Sequence, residues 1–310
     1  MQFFKSTNID FIKNRYKFFT ISGLLLLMTV CVLIYRGGPN YGIDFTGGVL
    51  MRISFQDKVE LQDVRTAVEE SGINSFELQS SDNLIMIRAK KNLESQEEFE
   101  KSVQNSMQLK FPDNPMKIEG IEYVGPTVGE YLSKQAVYAF LFAFLGMIVY
   151  VAFRFKSSLW GIVSVIGIAH DVIIAFGFVV LVGKEINITI IAALLTVAGY
   201  SINDTIVLFD RIKENLRLVA KQDFATVINK SINGVLLRTV VTAITVFIVA
   251  CSLFFFGGEV IHTFAYIMVI GTVLGVFSTI FICTPLVYEW ETRRNRRLKT
   301  AIKQGVVRTR

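Results

Sequence analysis

Six long apolar segments dominate the pattern of hydrophobic and polar positions along this 310-residue chain. Each is long enough to cross a hydrocarbon core of about 30 Å at about 1.5 Å per helical residue. The segments run over residues 18–35, 136–153, 159–182, 186–209, 235–256 and 260–288. The pattern therefore predicts a polytopic α-helical membrane protein with six transmembrane helices.

The first segment also has features of a signal peptide, because Lys13, Arg15 and Lys17 precede it as a basic leader would. However, no Ala-x-Ala-like cleavage site follows, and 18 apolar residues exceed the usual length of a signal-peptide core. We interpret this segment as the first transmembrane helix, with a short N-terminus at residues 1–17.

Basic residues cluster in the N-terminus, in the connection at 210–234 and in the tail at 289–310. By the positive-inside rule these three regions are cytoplasmic, which puts both termini on the cytoplasmic side. The predicted extracytoplasmic (periplasmic) region, residues 36–133, holds 10 basic and 16 acidic residues although the whole chain carries a net charge of +6. We attribute the basic excess to topology and attraction to anionic lipid rather than to nucleic acid. Contact of the tail with a ribosome or partner is the alternative.

The region at 36–133 alternates between strand and helix patterns. Strands are predicted at 49–55, 76–79, 84–87 and 117–124. One helix ends near Gly72, and a capping box formed by Ser95 and Glu98 opens a second helix. The order β-α-β-β-α-β predicts a small α+β ferredoxin-like domain. It contains no His or Cys, which excludes catalysis or metal binding through those residues, and either polypeptide binding or a spacer role fits.

Three ionisable residues lie inside the predicted membrane helices. A carboxylate at membrane depth costs about 2.5 to 3.5 kcal/mol on insertion scales, and such residues usually serve transport, proton relay or pairing. Asp204 in the fourth helix and Arg238 in the fifth lie at matched depths, about 8 to 9 Å inside the cytoplasmic boundary at about 1.5 Å per residue. An ion pair between them is expected, and Asp171 lies nearer the midplane. Structural pairing that fixes helix register is the alternative reading.

Smaller polar residues accompany these charges at helical spacing. On the fourth helix Tyr200 and Asn203 continue a polar stripe beside Ser201. On the fifth helix Thr242 lies one turn after Arg238. We expect the two stripes to face each other. In the sixth helix the spacing of Gly271 and Gly275 predicts close helix packing.

Neither a metal nor a cofactor is expected. Cys31, Cys251 and Cys283 all fall within apolar segments and share no metal-ligand spacing, so we expect no disulfide. The chain also lacks a Gly-x-x-x-x-Gly-Lys-Ser/Thr loop, so no ATP site is expected.

Several motifs resemble the SecF family of protein-export membrane subunits. The first carries Gly42, Asp44, Gly47 and Gly48 directly after the first membrane helix. The others are Val124-Gly125-Pro126-Thr127-Val128-Gly129, Ala169-His170-Asp171-Val172, residues 198–212 and Arg238-Thr239-Val240-Val241-Thr242. They follow the family's order from Tyr41 to Pro285. The related SecD family usually carries Asp-Ala-Asn in its fourth helix, where this chain has Ser201-Ile202-Asn203-Asp204.

The resemblance implies a subunit of the bacterial Sec translocase in the cytoplasmic (inner) membrane, homologous to half of a resistance-nodulation-division (RND) transporter. Such a subunit pairs with SecD in a SecDF complex and uses the proton-motive force to promote late stages of preprotein translocation. The SecYEG channel with SecA, and also YajC and YidC, are the further partners it implies. The family's proton path matches Asp204 and Arg238. Asp171 belongs to another family motif, and we include it as a third proton-relay candidate.

Two other functions are weaker. An RND exporter of small molecules or lipids commonly fuses two six-helix halves with much larger outer domains. An intramembrane aspartyl protease is suggested only by Asp171 and Asp204. These lie at different depths, and the Gly-x-Gly-Asp sequence of such proteases is absent. We therefore expect a proton-coupled subunit that is not an enzyme.

Overall fold

A computed structural model describes residues 8–73, 75–81, 84–89, 96–155, 157–218 and 222–303. The chain forms two compact units. The helical unit comprises Met1–Asn40, Ala139–Lys184 and Thr189–Arg310, and the α+β unit comprises Tyr41–Tyr138 and Glu185–Ile188. Residue 95, which belongs to the predicted capping box, lies outside the described residues.

The secondary structure alternates long helices with one small sheet. In chain order the elements are α1 (Arg15–Tyr35), α2 (Ile43–Thr46), β1 (Gly48–Ser54), α3 (Leu61–Glu70), β2 (Phe76–Ser81), β3 (Leu84–Ala89), α4 (Gln96–Lys110), β4 (Lys117–Val124), α5 (Pro126–Phe155), α6 (Ser158–Val182), α7 (Ile188–Leu218), α8 (Phe224–Phe256), α9 (Gly258–Ser278), a π-helical turn (Thr279–Cys283) and α10 (Thr284–Lys303). Among the described residues, six helical stretches are long and apolar enough to span a membrane, the last running from Ile261 to Arg294. The predicted fold class is confirmed.

Several helices extend beyond their apolar segments. Helix α7 continues to Leu218 and α8 begins at Phe224, so most of the connection predicted at 210–234 is helical. Likewise α5 begins at Pro126, ten residues before its apolar segment, and proline is favoured at the first helical position. The apolar pattern identifies only the part of each helix that can lie in the hydrocarbon core. The helix extends beyond that part, because charged residues outside the core can be solvated by water.

The α+β unit has the ferredoxin-like topology that the sequence predicts. Its antiparallel sheet has the order β2-β3-β1-β4, and Met51 of the central β1 pairs with Ile87 and with Ile121. One hydrophobic cluster joins the sheet to both longer helices, and Phe99 and Val103 of α4 are fully buried in it. The periodicities of two and 3.6 residues therefore predicted both the elements and the face that each one buries.

Glycine brings two helices of the helical unit into close contact. A Cβ atom added at Gly271 would overlap the side chain of Val197 on α7. One added at Gly275 would lie 3.4 Å from the Cα atom of Ser201. The close packing predicted from the Gly271 and Gly275 spacing is confirmed, and it places α9 directly against α7.

Candidate functional site

Asp204 lies on the buried face of α7. Only 4% of the residue is exposed, and its neighbours Ser201, Thr205 and Leu208 are also buried. The Oδ2 atom of Asp204 has no hydrogen-bond partner among the described residues. An ionised carboxylate in such a position is costly unless a cation or several donors compensate it. A negative charge on Asp204 therefore lacks compensation at this oxygen among the described residues.

A second carboxylate, Asp171 of α6, is completely buried and has several partners. The hydroxyl groups of Ser201 on α7 and Ser278 on α9 each donate to Asp171 Oδ2 over 2.6 Å. Its other oxygen lies 2.9 Å from Nδ1 of His170. The Asp171 cluster, as we call these four residues, joins three helices. Its member Ser201 lies one helical turn before Asp204, so both carboxylates belong to one polar region of the bundle.

The last membrane helix departs from α-helical geometry beside this cluster. The π-helical turn begins at Thr279, directly after Ser278, and the Thr279 and Thr205 hydroxyls lie 2.8 Å apart. The backbone N–H and the hydroxyl of Thr284 both reach the carbonyl oxygen of Thr279. Pro285 follows and cannot donate to the carbonyl four residues earlier, which favours such an irregularity. Short π-helical turns are frequent at functional sites. Pro285 was the only sequence signal for this one.

Arg238 does not form the expected ion pair in this structure. It lies on an exposed face of α8, and no ion pair joins it to Asp204 within the described part of the chain. Thr242 is also exposed, and its hydroxyl donates to the carbonyl oxygen of Arg238 over 3.0 Å. On α7 Asn203 is exposed and Tyr200 is partly exposed. Asn203, Arg238 and Thr242 therefore lie on the outside of the single chain. The Tyr200 hydroxyl, by contrast, is buried and interacts with the side chain of Thr242, so the two predicted stripes meet at this pair. Ser201 faces inward to Asp171.

The glycine-rich motif begins the α+β unit. Gly47 has φ of +69° and Gly48 has φ of +129°, a backbone region that residues other than glycine rarely adopt. A Cβ atom at Gly48 would also overlap the carbonyl oxygen of Ala89. Gly42 precedes the single turn of α2, and Asp44 lies within that turn. The motif therefore leads directly into β1, one of the two central strands of the sheet.

His170, Ser278 and Thr279 of the polar region were not among the predicted site residues. Single serine and threonine residues in apolar helices carry little signal, because many of them bond only to their own helix. Ser252, for example, donates to the carbonyl of Ile248. Within the described ranges, His, Cys, Asp and Glu form no group of three or more that could hold a metal ion.

The fold and the site define a polytopic helical membrane protein with titratable groups inside its bundle. Two family models match it. The first model, described as "Protein export membrane protein SecD/SecF, C-terminal", matches residues 103–293. The second, the SecD/SecF GG motif, matches residues 33–59. The protein translocase subunit SecF of Endomicrobium trichonymphae is 78% identical over 309 residues, which is 100% of each chain. That of Thermodesulfovibrio yellowstonii is 39% identical, covering 93% of this chain and 96% of its own. The chain belongs to the SecF family of protein translocase subunits.

Solved structures agree with this assignment. The crystal structure of SecDF from Thermus thermophilus matches with a TM-score of 0.84 and 33% identity over 92% of this chain. A structure of SecDF in its super-membrane-facing form matches with a TM-score of 0.72 and 31% identity over 97% of this chain. The chain spans 39% and 41% of the length of those two proteins.

Proposed function

We propose that the chain pairs with SecD in the cytoplasmic membrane and uses the proton-motive force to promote late stages of preprotein translocation. In this proposal both termini are cytoplasmic and the α+β unit lies outside. Preproteins arrive through the SecYEG channel, driven by SecA, and YajC and YidC are further partners. The chain itself is not an enzyme, and the proton gradient supplies the energy. The names of the SecF and SecDF relatives support the translocase role.

The observation that carries the proposal is the buried, unpartnered oxygen of Asp204 one turn from the Asp171 cluster. Ionisable residues in membrane bundles that face the protein interior usually mark ion or proton pathways. Asp204 is the group that binds and releases the proton. The Ser201 hydroxyl connects this turn of α7 to Asp171, which makes Asp171 the second carboxylate of the relay.

The exposed polar side chains support pairing with SecD. Asn203, Arg238 and Thr242 lie on surfaces that lipid would have to cover in the single chain. Polar groups in apolar helices normally face other helices or water-filled cavities. A second membrane subunit supplies that cover, and the SecDF relatives are long enough to contain one in addition to the part that matches. Arg238, with Tyr200, Asn203 and Thr242 around it, then acts on Asp204 in the state that brings the two residues together.

Preprotein translocation in inverted membrane vesicles, with and without an imposed proton-motive force, tests this function. Asp204→Asn keeps the side-chain shape but cannot titrate, so it should assemble with SecD and lose the force-dependent part of translocation. Arg238→Lys keeps the charge but lacks the planar guanidinium, so it should lose a smaller part of force-dependent translocation than Asp204→Asn does. Asp113→Asn, at an exposed position of the α+β unit, is the matched control. Full force-dependent translocation by Asp204→Asn at normal protein levels would refute the proposal.

A further inference from the structure

The glycine-rich motif holds a short piece of chain from a distant part of the sequence. The N–H of Gly42 donates to the carbonyl oxygen of Ile186 over 2.7 Å, and Tyr41 and Ile186 form a parallel β-bridge. Ile186 belongs to residues 185–188, the segment that connects α6 to α7 and ends with the first residue of α7. We call these four residues the α7 lead segment. They are part of the α+β unit by their contacts.

Asp44 caps the helix that follows this segment. Its Oδ2 atom accepts a hydrogen bond of 2.9 Å from the N–H of Ile188, the first residue of α7. The first N–H groups of a helix have no partner within the helix, and a carboxylate satisfies one of them while favouring the helix dipole. A local residue usually supplies this cap, but here it comes from 144 residues away in the sequence.

Arg88 of β3 makes a second contact with the α7 lead segment. Only 2% of Arg88 is exposed, and its guanidinium forms an ion pair with Glu185 of the α7 lead segment. It also pairs with Glu77 over 3.2 Å and donates to the carbonyl oxygen of Tyr41 over 3.2 Å. Burial lowers the pKa of Arg88, while the Glu77 carboxylate acts in the opposite direction. A buried guanidinium is costly without such partners, so Arg88 strongly favours the arrangement that keeps both carboxylates close.

We propose that Asp44 and Arg88 are positioning residues for the proton-coupled step, because they fix the beginning of the helix that carries Asp204. The inference rests on the proposed function of Asp204. Asp204 lies 16 residues after Ile188 in the same continuous helix, a rise of about 24 Å at about 1.5 Å per residue. A helix transmits displacement along its axis, so movement of the α+β unit reaches the proton site through α7 itself. This gives the family's glycine-rich motif a physical role: its backbone brings Asp44 and Gly42 onto the α7 lead segment.

The first test measures how strongly Asp44 and Arg88 stabilise the beginning of α7 in the full-length complex with SecD. Asp44→Ala removes the cap, and Arg88→Gln removes the ion pair with Glu185. Asp44→Ala should accelerate amide hydrogen exchange in the first turn of α7 by about 2- to 30-fold, the range that loss of a capping side chain produces. Asp113→Ala and Arg52→Gln are the matched controls, since Arg52 pairs with Glu122 in the sheet. Unchanged exchange in both Asp44→Ala and Arg88→Gln would overturn the inference.

The second test replaces the lost contact with a disulfide bond between the glycine-rich motif and the α7 lead segment. A Cβ atom added at Gly42 would lie 3.6 Å from the Cβ atom of Asn187, within the usual disulfide range of about 3.5 to 4.5 Å. Gly42→Cys with Asn187→Cys, combined with Asp44→Ala, should therefore regain force-dependent translocation when oxidised and lose it when reduced. The two single-cysteine variants in the Asp44→Ala background control for the substitutions themselves.

These outcomes separate the inference from the function on which it rests. Full force-dependent translocation by Asp44→Ala, in a protein where Asp204→Asn abolishes it, would overturn the positioning role alone. Equal translocation by the oxidised and reduced cross-linked variants would do the same. If Asp204→Asn were also fully active, the proton-coupled function would fail. The exchange measurement would still decide whether Asp44 and Arg88 hold α7.

Discussion

Ser201 on α7 donates a hydrogen bond of 2.6 Å to Asp171 on α6. The same carboxylate oxygen accepts from Ser278, so one buried Asp171 side chain joins three helices. The joint lies one turn from Asp204 and beside the π-helical turn. Asp171 therefore has a structural role in addition to the one proposed in the relay.

Asp171→Leu should destabilise the protein. Leucine forms no hydrogen bonds, so the hydroxyls of Ser201 and Ser278 and the Nδ1 atom of His170 lose the partner that they share. Leaving buried polar groups unsatisfied costs about 1 to 3 kcal/mol. Thermal unfolding of the detergent-solubilised protein measures the effect. Thr196→Ala is the control, since Thr196 is exposed and its hydroxyl donates to the carbonyl oxygen of Ala192 on the same helix. An Asp171→Leu melting temperature equal to that of the wild type would show that the Asp171 cluster does not stabilise the bundle.

Gly271→Ala should also destabilise the helical unit. The added methyl group meets Val197 where α9 and α7 touch, and such overpacking costs about 1 to 3 kcal/mol. Gly146→Ala provides the contrast, because nothing lies within 4 Å of a Cβ atom at that position in α5. Alanine is a better helix former than glycine, so Gly146→Ala should be neutral or slightly stabilising. Thermal unfolding gives a melting temperature for each variant, and that of Gly271→Ala should be the lower. A lower melting temperature for Gly146→Ala would mean that α9 does not pack closely on α7.

Residues 40–125 should fold on their own into a mixed helix and strand domain. Phe99 is completely buried in its core, so Phe99→Ala should lower the free energy of unfolding by about 3 to 5 kcal/mol. Leu109, on the same helix, is 84% exposed. Leu109→Ala should therefore change the free energy of unfolding by less than about 0.5 kcal/mol. Urea denaturation followed by circular dichroism measures both. A spectrum of a disordered chain, even with extended boundaries, would contradict an autonomous domain.

Cysteine labelling tests the proposed orientation. A thiol at the exposed position of Asp113 in the α+β unit should react with an impermeant reagent added to intact cells. One at Gln222, between α7 and α8, should react only after permeabilisation. The wild type controls for Cys31, Cys251 and Cys283. The opposite pattern would reverse the orientation of all six membrane helices.

The sequence predicted the fold well because both units follow strong periodic patterns. The four strands and the helix carrying Phe99 were recognisable from alternation and helical spacing. The polar region was harder to predict. Asp204 and Asp171 were evident as charges in apolar segments, but the partners of Asp171 depend on how three helices are rotated, which one chain's pattern does not specify. The distance in sequence likewise concealed the relation of Asp44 to Ile188.

Arg238 illustrates another limit. Counting residues along two helices placed Arg238 at the depth of Asp204, and depth is what a helical rise determines. Whether two side chains meet also depends on the direction each helix face points. Arg238 lies on an exposed face of α8, where a second subunit would determine its contacts.

Proton flux through the reconstituted complex tests the central claim most directly. The chain and SecD are placed together in liposomes with an internal pH-sensitive dye, and an imposed proton gradient is followed over time. The wild-type complex should conduct protons, and Asp204→Asn should reduce this flux to the level of protein-free liposomes while Asp113→Asn leaves it unchanged. Wild-type flux through a correctly assembled Asp204→Asn complex would contradict the assignment of Asp204 as the residue that carries the proton.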